Sequence, residues 1–167
     1  MKIKDELSQN DIRHLEHCLS LAEEAFKAGD APFGSILVDA DNEVIATARN
    51  RINELTALAH PELELAQWAA ENLSTAERKR TTMYTSGEHC PMCAAAHGWA
   101  GLGTIVYLSS AKQLGEWLGN VSMPIRFVPA EEIVPDIIIK GPASGPILES
   151  IKNLQLEYHG GRFPDAT

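Results

Sequence analysis

The chain has 167 residues, 44% of them hydrophobic, which suits one compact domain around a single core. A formal charge of −9, with 14 basic residues and one tight cluster at Arg78-Lys79-Arg80, argues against a nucleic-acid surface, which needs grouped Lys and Arg. No apolar run reaches transmembrane length, and MKIKDELSQND lacks a signal-peptide core, so an acidic cytoplasmic enzyme acting on small molecules is expected.

Residues 8–28 read as an amphipathic helix. Ser8 suits the N-cap with Asp11 three residues on, and Ile12, Leu15, Leu19, Ala22 and Phe26 share one face. Gly29 suits its stop. GSILVDA (34–40) reads as a buried strand, Asp41-Asn42 as a turn, and EVIATARN (43–50) as a second strand, together an antiparallel hairpin. A helix follows over 61–73, then a strand over 81–86. Residues 91–101 form a third helix with Pro91 in its first turn. A fourth strand is predicted over 104–109, a short helix over 110–118, a fifth strand at IRFV (125–128), and a closing helix over 146–158 with Ser144 near its start. Trp68 and Trp99 fall within helices and are expected in the core.

After the hairpin, strands alternate with helices, which demands crossovers and parallel pairing. The expected fold class is α/β: a three-layer α/β/α sandwich with a mixed five-stranded sheet. Residues 1–167 make one domain, with a C-terminal helix and tail from about 143. In such sheets the site lies beyond the strand ends, near helix N-termini.

The chain has three cysteines, Cys18, Cys90 and Cys93. The last two form a C-x-x-C where a strand ends and a helix starts. There, free N–H groups and the helix dipole favour thiolates. Two thiolates are half of a zinc site; a redox pair and two buried thiols are the alternatives. The complement is His60-Pro61-Glu62. Pro disfavours helical geometry at the residue before it and fits the first helical position, so His60 is the expected N-cap, with Glu62 in the first turn. Two helix starts thus converge from neighbouring elements.

H-x-E, a strand, then C-x-x-C at the next helix start is a zinc deaminase pattern. The chain resembles the cytidine deaminase-like superfamily, and within it the branch of guanine deaminases and tRNA adenosine deaminases. Further matches are Pro32-Phe33-Gly34 before the first strand, Asn50 ending the second, and Thr85-Ser86 and Glu88 leading into Cys90-Pro91-Met92-Cys93. The likeness covers about residues 10–130.

The resemblance implies that His60, Cys90 and Cys93 bind Zn2+ and leave a fourth position to water. It implies that Glu62 is the catalytic proton shuttle between that water, the ring and the departing ammonia. Asn50 would meet the edge of the heterocycle, its alternative being a strand-end turn residue. Phe33 suits either the pocket lining or the core. The corresponding loop and helix in guanine deaminases carry an acidic residue for substrate binding or proton transfer, which Glu116 would match, and Trp117 could stack on a ring; an ordinary amphipathic helix is the alternative for both. The implied partner is a small-molecule heterocycle, a guanine-like purine before a nucleoside, cytosine or a tRNA adenosine, and the branch's homodimer is adopted with it. A non-catalytic zinc-binding subunit is the reading from another class, although a structural site has no need of Glu62.

Two positions depart from the pattern. Pro61 replaces the usual Ala, whose N–H often donates to a substrate carbonyl in the family; proline has no N–H. A changed ring preference is the expected result. His89 stands where the family has Pro, and it could meet a thiolate or substrate, with simple exposure expected. His97 lies four residues beyond Cys93, about 6 Å along the helix axis, and is expected to be a partly buried helix histidine. In the C-terminal stretch, Tyr158 and Phe163 fall in a segment that covers the active site in some guanine deaminases.

Overall fold

The computed structural model describes residues 6–160. Phe163 therefore lies outside the described residues. The first helix, α1 (Gln9–Lys27), starts at Ser8, whose hydroxyl accepts from the Asp11 N–H while the Asp11 carboxylate accepts from the Ser8 N–H. This reciprocal cap satisfies two donors that the helix itself cannot.

β1 (Gly34–Val38) is buried along its length and forms a hairpin with β2 (Val44–Arg49). Gly34 permits close approach to α1. A Cβ there would sit 2.6 Å from the Cys18 carbonyl oxygen and 2.4 Å from the Leu21 Cβ. Next come α2 (Pro61–Asn72), α3 (Thr75–Lys79) and β3 (Thr82–Gly87). They are followed by α4 (Pro91–Ala100), β4 (Ile105–Ser109) and α5 (Ala111–Trp117), then α6 (Ala130–Ile133), β5 (Ile139–Lys140) and α7 (Pro146–Gly160). The strand order is β2-β1-β3-β4-β5, antiparallel on both sides of β1 and parallel from β3 to β5.

Strand alternation divides the core between two faces. Ile36, Val38, Tyr84 and Leu108 pack against Leu15, Cys18 and Ala22 of α1 and Ile151 of α7. Leu37 and Met83 face the other way, onto Leu65, Ala66 and Ala69 of α2 and Ala100 of α4. The result is the expected mixed five-stranded sheet between two helical layers.

Several elements differ from the sequence expectation. The fifth strand is Ile139–Lys140, where Ile139 pairs with Ile105; residues 125–128 form no strand. Pro124 and Pro129 bracket that apolar stretch, and proline cannot donate to a ladder. Ile125 and Phe127 are exposed, and the chain instead makes α6, whose Ala130 and Ile133 pack with Ala94 and Ile105. The short α3 was not expected; a Ser74–Glu77 capping box starts it. Trp99 is not a core residue but 93% exposed. The inward stripe of α4 is Cys93, Ala94, His97 and Ala100, which leaves position 99 on the opposite side.

Candidate active site

Both helix starts use the same local device. Pro61 and Pro91 occupy first-turn positions, and the residues before them, His60 (φ −85°, ψ 140°) and Cys90 (φ −69°, ψ 165°), are extended. Neither cap side chain bonds back to its own helix, so each is available to a neighbour. α2 and α4 pack side by side, and the two caps meet. His60 Nδ1 lies 3.6 Å from Cys90 Sγ and 3.5 Å from Cys93 Sγ.

The three donor atoms all lie within 4.8 Å of one another. A tetrahedral zinc with bonds of about 2.3 Å to sulfur and about 2.0 Å to nitrogen has ligand–ligand edges of roughly 3.5–3.8 Å. The His60–cysteine separations match those edges, and the donor set is one that suits zinc. These three residues could therefore hold a metal ion. Cys18 is buried in the α1 layer, apart from the group.

The electrostatics favour one thiolate in the pair, on Cys90. Hydrogen bonds from Cys93 and then His60 hold the Cys90 thiol well below its ordinary value, against the opposing effect of burial. The hydrogen bond to Cys90 raises His60.

Glu62 is 6% exposed, in the first turn of α2, and lies outside the donor group. Thr85 Oγ1 donates to its Oε1 at 2.7 Å. Ser35 Oγ lies 2.8 Å from Thr85 Oγ1 and 3.3 Å from the same carboxylate oxygen. Burial pushes the Glu62 carboxyl above its ordinary value; the Thr85 hydroxyl and the charge of His60 oppose it. Ser35 and Thr85 are opposed across the β1–β3 pair, which is why they meet beneath one carboxylate. Sequence reasoning missed Ser35. Its only signal was a hydroxyl in an otherwise apolar strand.

Asn50 is buried at the end of β2. Its N–H donates to the Phe33 carbonyl at 2.9 Å, and its side-chain Oδ1 accepts from the Ile52 N–H at 3.0 Å. The oxygen thus closes a turn, while the side-chain nitrogen makes no hydrogen bond among the described residues. Phe33 is half-buried, with its ring over Gly87 at the end of β3. A Cβ at Gly87 would lie 2.9 Å from Phe33 Cε1, so glycine lets the ring approach the strand.

The remaining candidates are elsewhere. Glu116 is exposed on α5. Trp117 packs against the α1–α7 core, with Lys152 Nζ 6.0 Å from its ring centre. No contact links either to the donor group among the described residues. His89 is 1% exposed, which overturns the expected exposure. It precedes the Cys90 cap, a position whose side chain turns under the helix it introduces. Its ring stands edge-on to His97, 5.5 Å between centres, and the His97 Nε2 lies 2.7 Å from the Gly103 carbonyl oxygen. His97 is fully buried rather than partly so. Burial depresses the basicity of both imidazoles.

The sequence profile of the MafB19-like deaminases matches residues 9–140. A probable cytosine deaminase of Schizosaccharomyces pombe is 33% identical over 65% of this chain and 66% of its own length. A tRNA-specific adenosine deaminase of Bacillus subtilis is 33% identical over 54% of this chain and 55% of its own length. The chain thus spans about half to two thirds of these relatives. A guanine deaminase of Nitrosomonas europaea superposes with a TM-score of 0.67 at 21% identity, over 94% of this chain and 90% of that one, a likeness of fold.

Proposed function

The chain belongs to the MafB19-like deaminase family, and from that premise we propose that it is a zinc-dependent hydrolytic deaminase of a free nucleobase or related amino-heterocycle. One observation carries the reading: three converged metal donors, His60, Cys90 and Cys93, beside a buried carboxylate, Glu62, held by Thr85. In the reaction the exocyclic C–N bond between a ring carbon and its amino group breaks, and one C–O bond forms at that carbon. Water supplies the oxygen, and ammonia carries the nitrogen away.

Zinc, when bound, supplies a Lewis acid that makes water nucleophilic near neutral pH. His60, Cys90 and Cys93 would hold the ion, a donor set of the number that catalytic zinc sites use. Glu62 accepts one proton of the attacking water and passes it to the ring nitrogen, then takes the remaining hydroxyl proton of the ring adduct and delivers it to the amino group, which leaves as ammonia. Its burial makes the carboxylate a stronger base, and the hydroxyls on Oε1 leave Oε2 for the proton. Asn50 offers its side-chain nitrogen to the ring edge, and Phe33 offers an apolar face.

A guanine-like purine is the favoured substrate. The net charge of −9 and the single basic run weigh against a tRNA. Pro61 has no N–H to offer a ring carbonyl in the first turn of α2, so the ring preference is expected to differ from that of a chain with Ala there. The test is ammonia release by zinc-loaded protein across guanine, adenine, cytosine, aminotriazines, pterins and their nucleosides. Release from a free purine base, lost in Glu62→Ala with zinc retained, is the expected result. Release from none of them removes the small-molecule reading, and Glu62→Ala behaving as wild type points to a non-catalytic zinc subunit.

A further inference from the structure

We propose that α7 positions the recognition wall of this site, Gln155 holding the segment that carries Phe33 and Tyr158 holding the loop that begins at Asn50. The assignment rests on the deaminase reading for what the wall recognises, and on geometry alone for what holds it.

The two wall segments are joined to each other, since the Asn50 N–H donates to the Phe33 carbonyl. Beneath them lies Asp30, only 1% exposed. Its carboxylate accepts from the Asn53 N–H at 2.8 Å, the Glu54 N–H at 3.2 Å and Arg49 Nη1 at 3.1 Å. The Asn53 side-chain nitrogen donates to the Gly29 carbonyl at 2.8 Å. The loop after β2 is therefore folded down onto residues 29 and 30, the approach to β1.

α7 completes the arrangement from more than a hundred residues away. Gln155 is 1% exposed, and its Nε2 donates to the Pro32 carbonyl, next to Phe33, at 2.9 Å. Tyr158 is also buried, and its hydroxyl accepts from the Asn53 side-chain nitrogen at 2.9 Å. Residues 155 and 158 are three apart and share one helix face with Ile151, which is buried in the core.

A helix that only covered the sheet would be served by apolar residues on this face, because burying an amide costs free energy unless it is bonded. Here Gln155 Nε2 and the Tyr158 hydroxyl each reach one wall segment, while Gln155 Oε1 is buried without a partner among the described residues. α7 also lies beyond residue 140, where the match to the family profile ends. The brace lies outside the stretch that the profile matches.

The test uses the full zinc-loaded chain with Gln155→Met and Tyr158→Phe, which keep the packing and remove the polar contact. Leu156→Ala, on the exposed side of α7, is the control. Amide hydrogen exchange is expected to rise about tenfold at residues 30–33 and 50–56 in the two variants, the scale of one lost hydrogen bond, and not in the control. Bound zinc is expected to stay at one per chain. On the base that the wild type turns over fastest, KM should rise about five- to tenfold while kcat stays within about twofold. Unchanged exchange at the wall overturns the proposal, as does a uniform rise that includes β1 and β3, or a loss confined to kcat. If the wild type releases ammonia from no base, the deaminase reading fails, and the exchange results still decide whether α7 holds this wall.

Discussion

The Thr85 hydroxyl donates to Glu62 at 2.7 Å, joining the middle of the sheet to the first turn of α2. Both groups are buried, so solvent does not compete for the bond. It fixes which carboxylate oxygen, Oε1, the Thr85 and Ser35 hydroxyls engage. Thr85→Val keeps the shape and removes the donor. A hydrogen bond to a charged group contributes about 1.5–3 kcal/mol, so ammonia release should fall roughly 10- to 100-fold. Metal analysis should show zinc unchanged; loss of zinc instead would mean that Thr85 supports the ligands and not the carboxylate.

The donor group predicts a metal dependence. Chelation should abolish ammonia release, and added zinc should restore it. Cys93→Ser and His60→Ala should each lower bound zinc below one per chain, because either leaves only two of the three donors. Activity that survives chelation, together with a reversible Cys90–Cys93 disulfide, would revive the redox reading of the pair.

On the α1 face of the sheet, Tyr84 donates to Asp11 at 2.7 Å. Burial alone would raise the Asp11 carboxyl, but the Ser8 N–H and the hydroxyls of Tyr84 and Ser8 together hold it below its ordinary 3.8. A depressed carboxyl contributes stability above the unfolded value and loses it as pH falls through the folded one. The stability difference between wild type and Asp11→Asn should therefore be full at neutral pH and shrink below 3.8. Urea titrations at both ends of that range measure it. A difference that grows on acidification would reverse the sign and refute the assignment.

Gly34→Ala tests the contact between α1 and the sheet. The new Cβ would meet the Cys18 carbonyl oxygen at 2.6 Å, and backbone cannot yield as a side chain does. Overpacking of this kind costs about 1–3 kcal/mol, with the upper end expected here, read as a lowered thermal midpoint. A midpoint equal to that of the wild type would show that α1 is free to move off β1.

Much of the fold was legible because it depends on neighbours in the chain. Ser8 with Asp11, Pro61 and Pro91 place helix starts by local sterics and hydrogen bonding. The run GSILV reads as a buried strand because both faces of β1 are covered. The errors share a cause. Residues 125–128 carry strand-like side chains, but pairing with β4 went to Ile139, whose place at the sheet edge depends on the path through α6. Trp99 was misplaced because burial on α4 depends on which side faces the sheet, and α4 has too weak an apolar pattern to show it; His89, before the Cys90 cap, was misplaced because its burial comes from the tertiary contact with His97.

By itself the sequence determined the chemistry on offer: His60, Cys90, Cys93 and Glu62 are donor and base types set at two helix starts, and local backbone rules are enough to put them there. Only the tertiary structure decided what stands behind them. Ser35 and Thr85 meet under Glu62 through strand register. Asp30, Gln155 and Tyr158 converge on the loop and approach at Asn50 and Phe33 across as many as 123 residues of chain. Neither is encoded in spacing, because a contact between distant segments exists only once packing has chosen which faces meet.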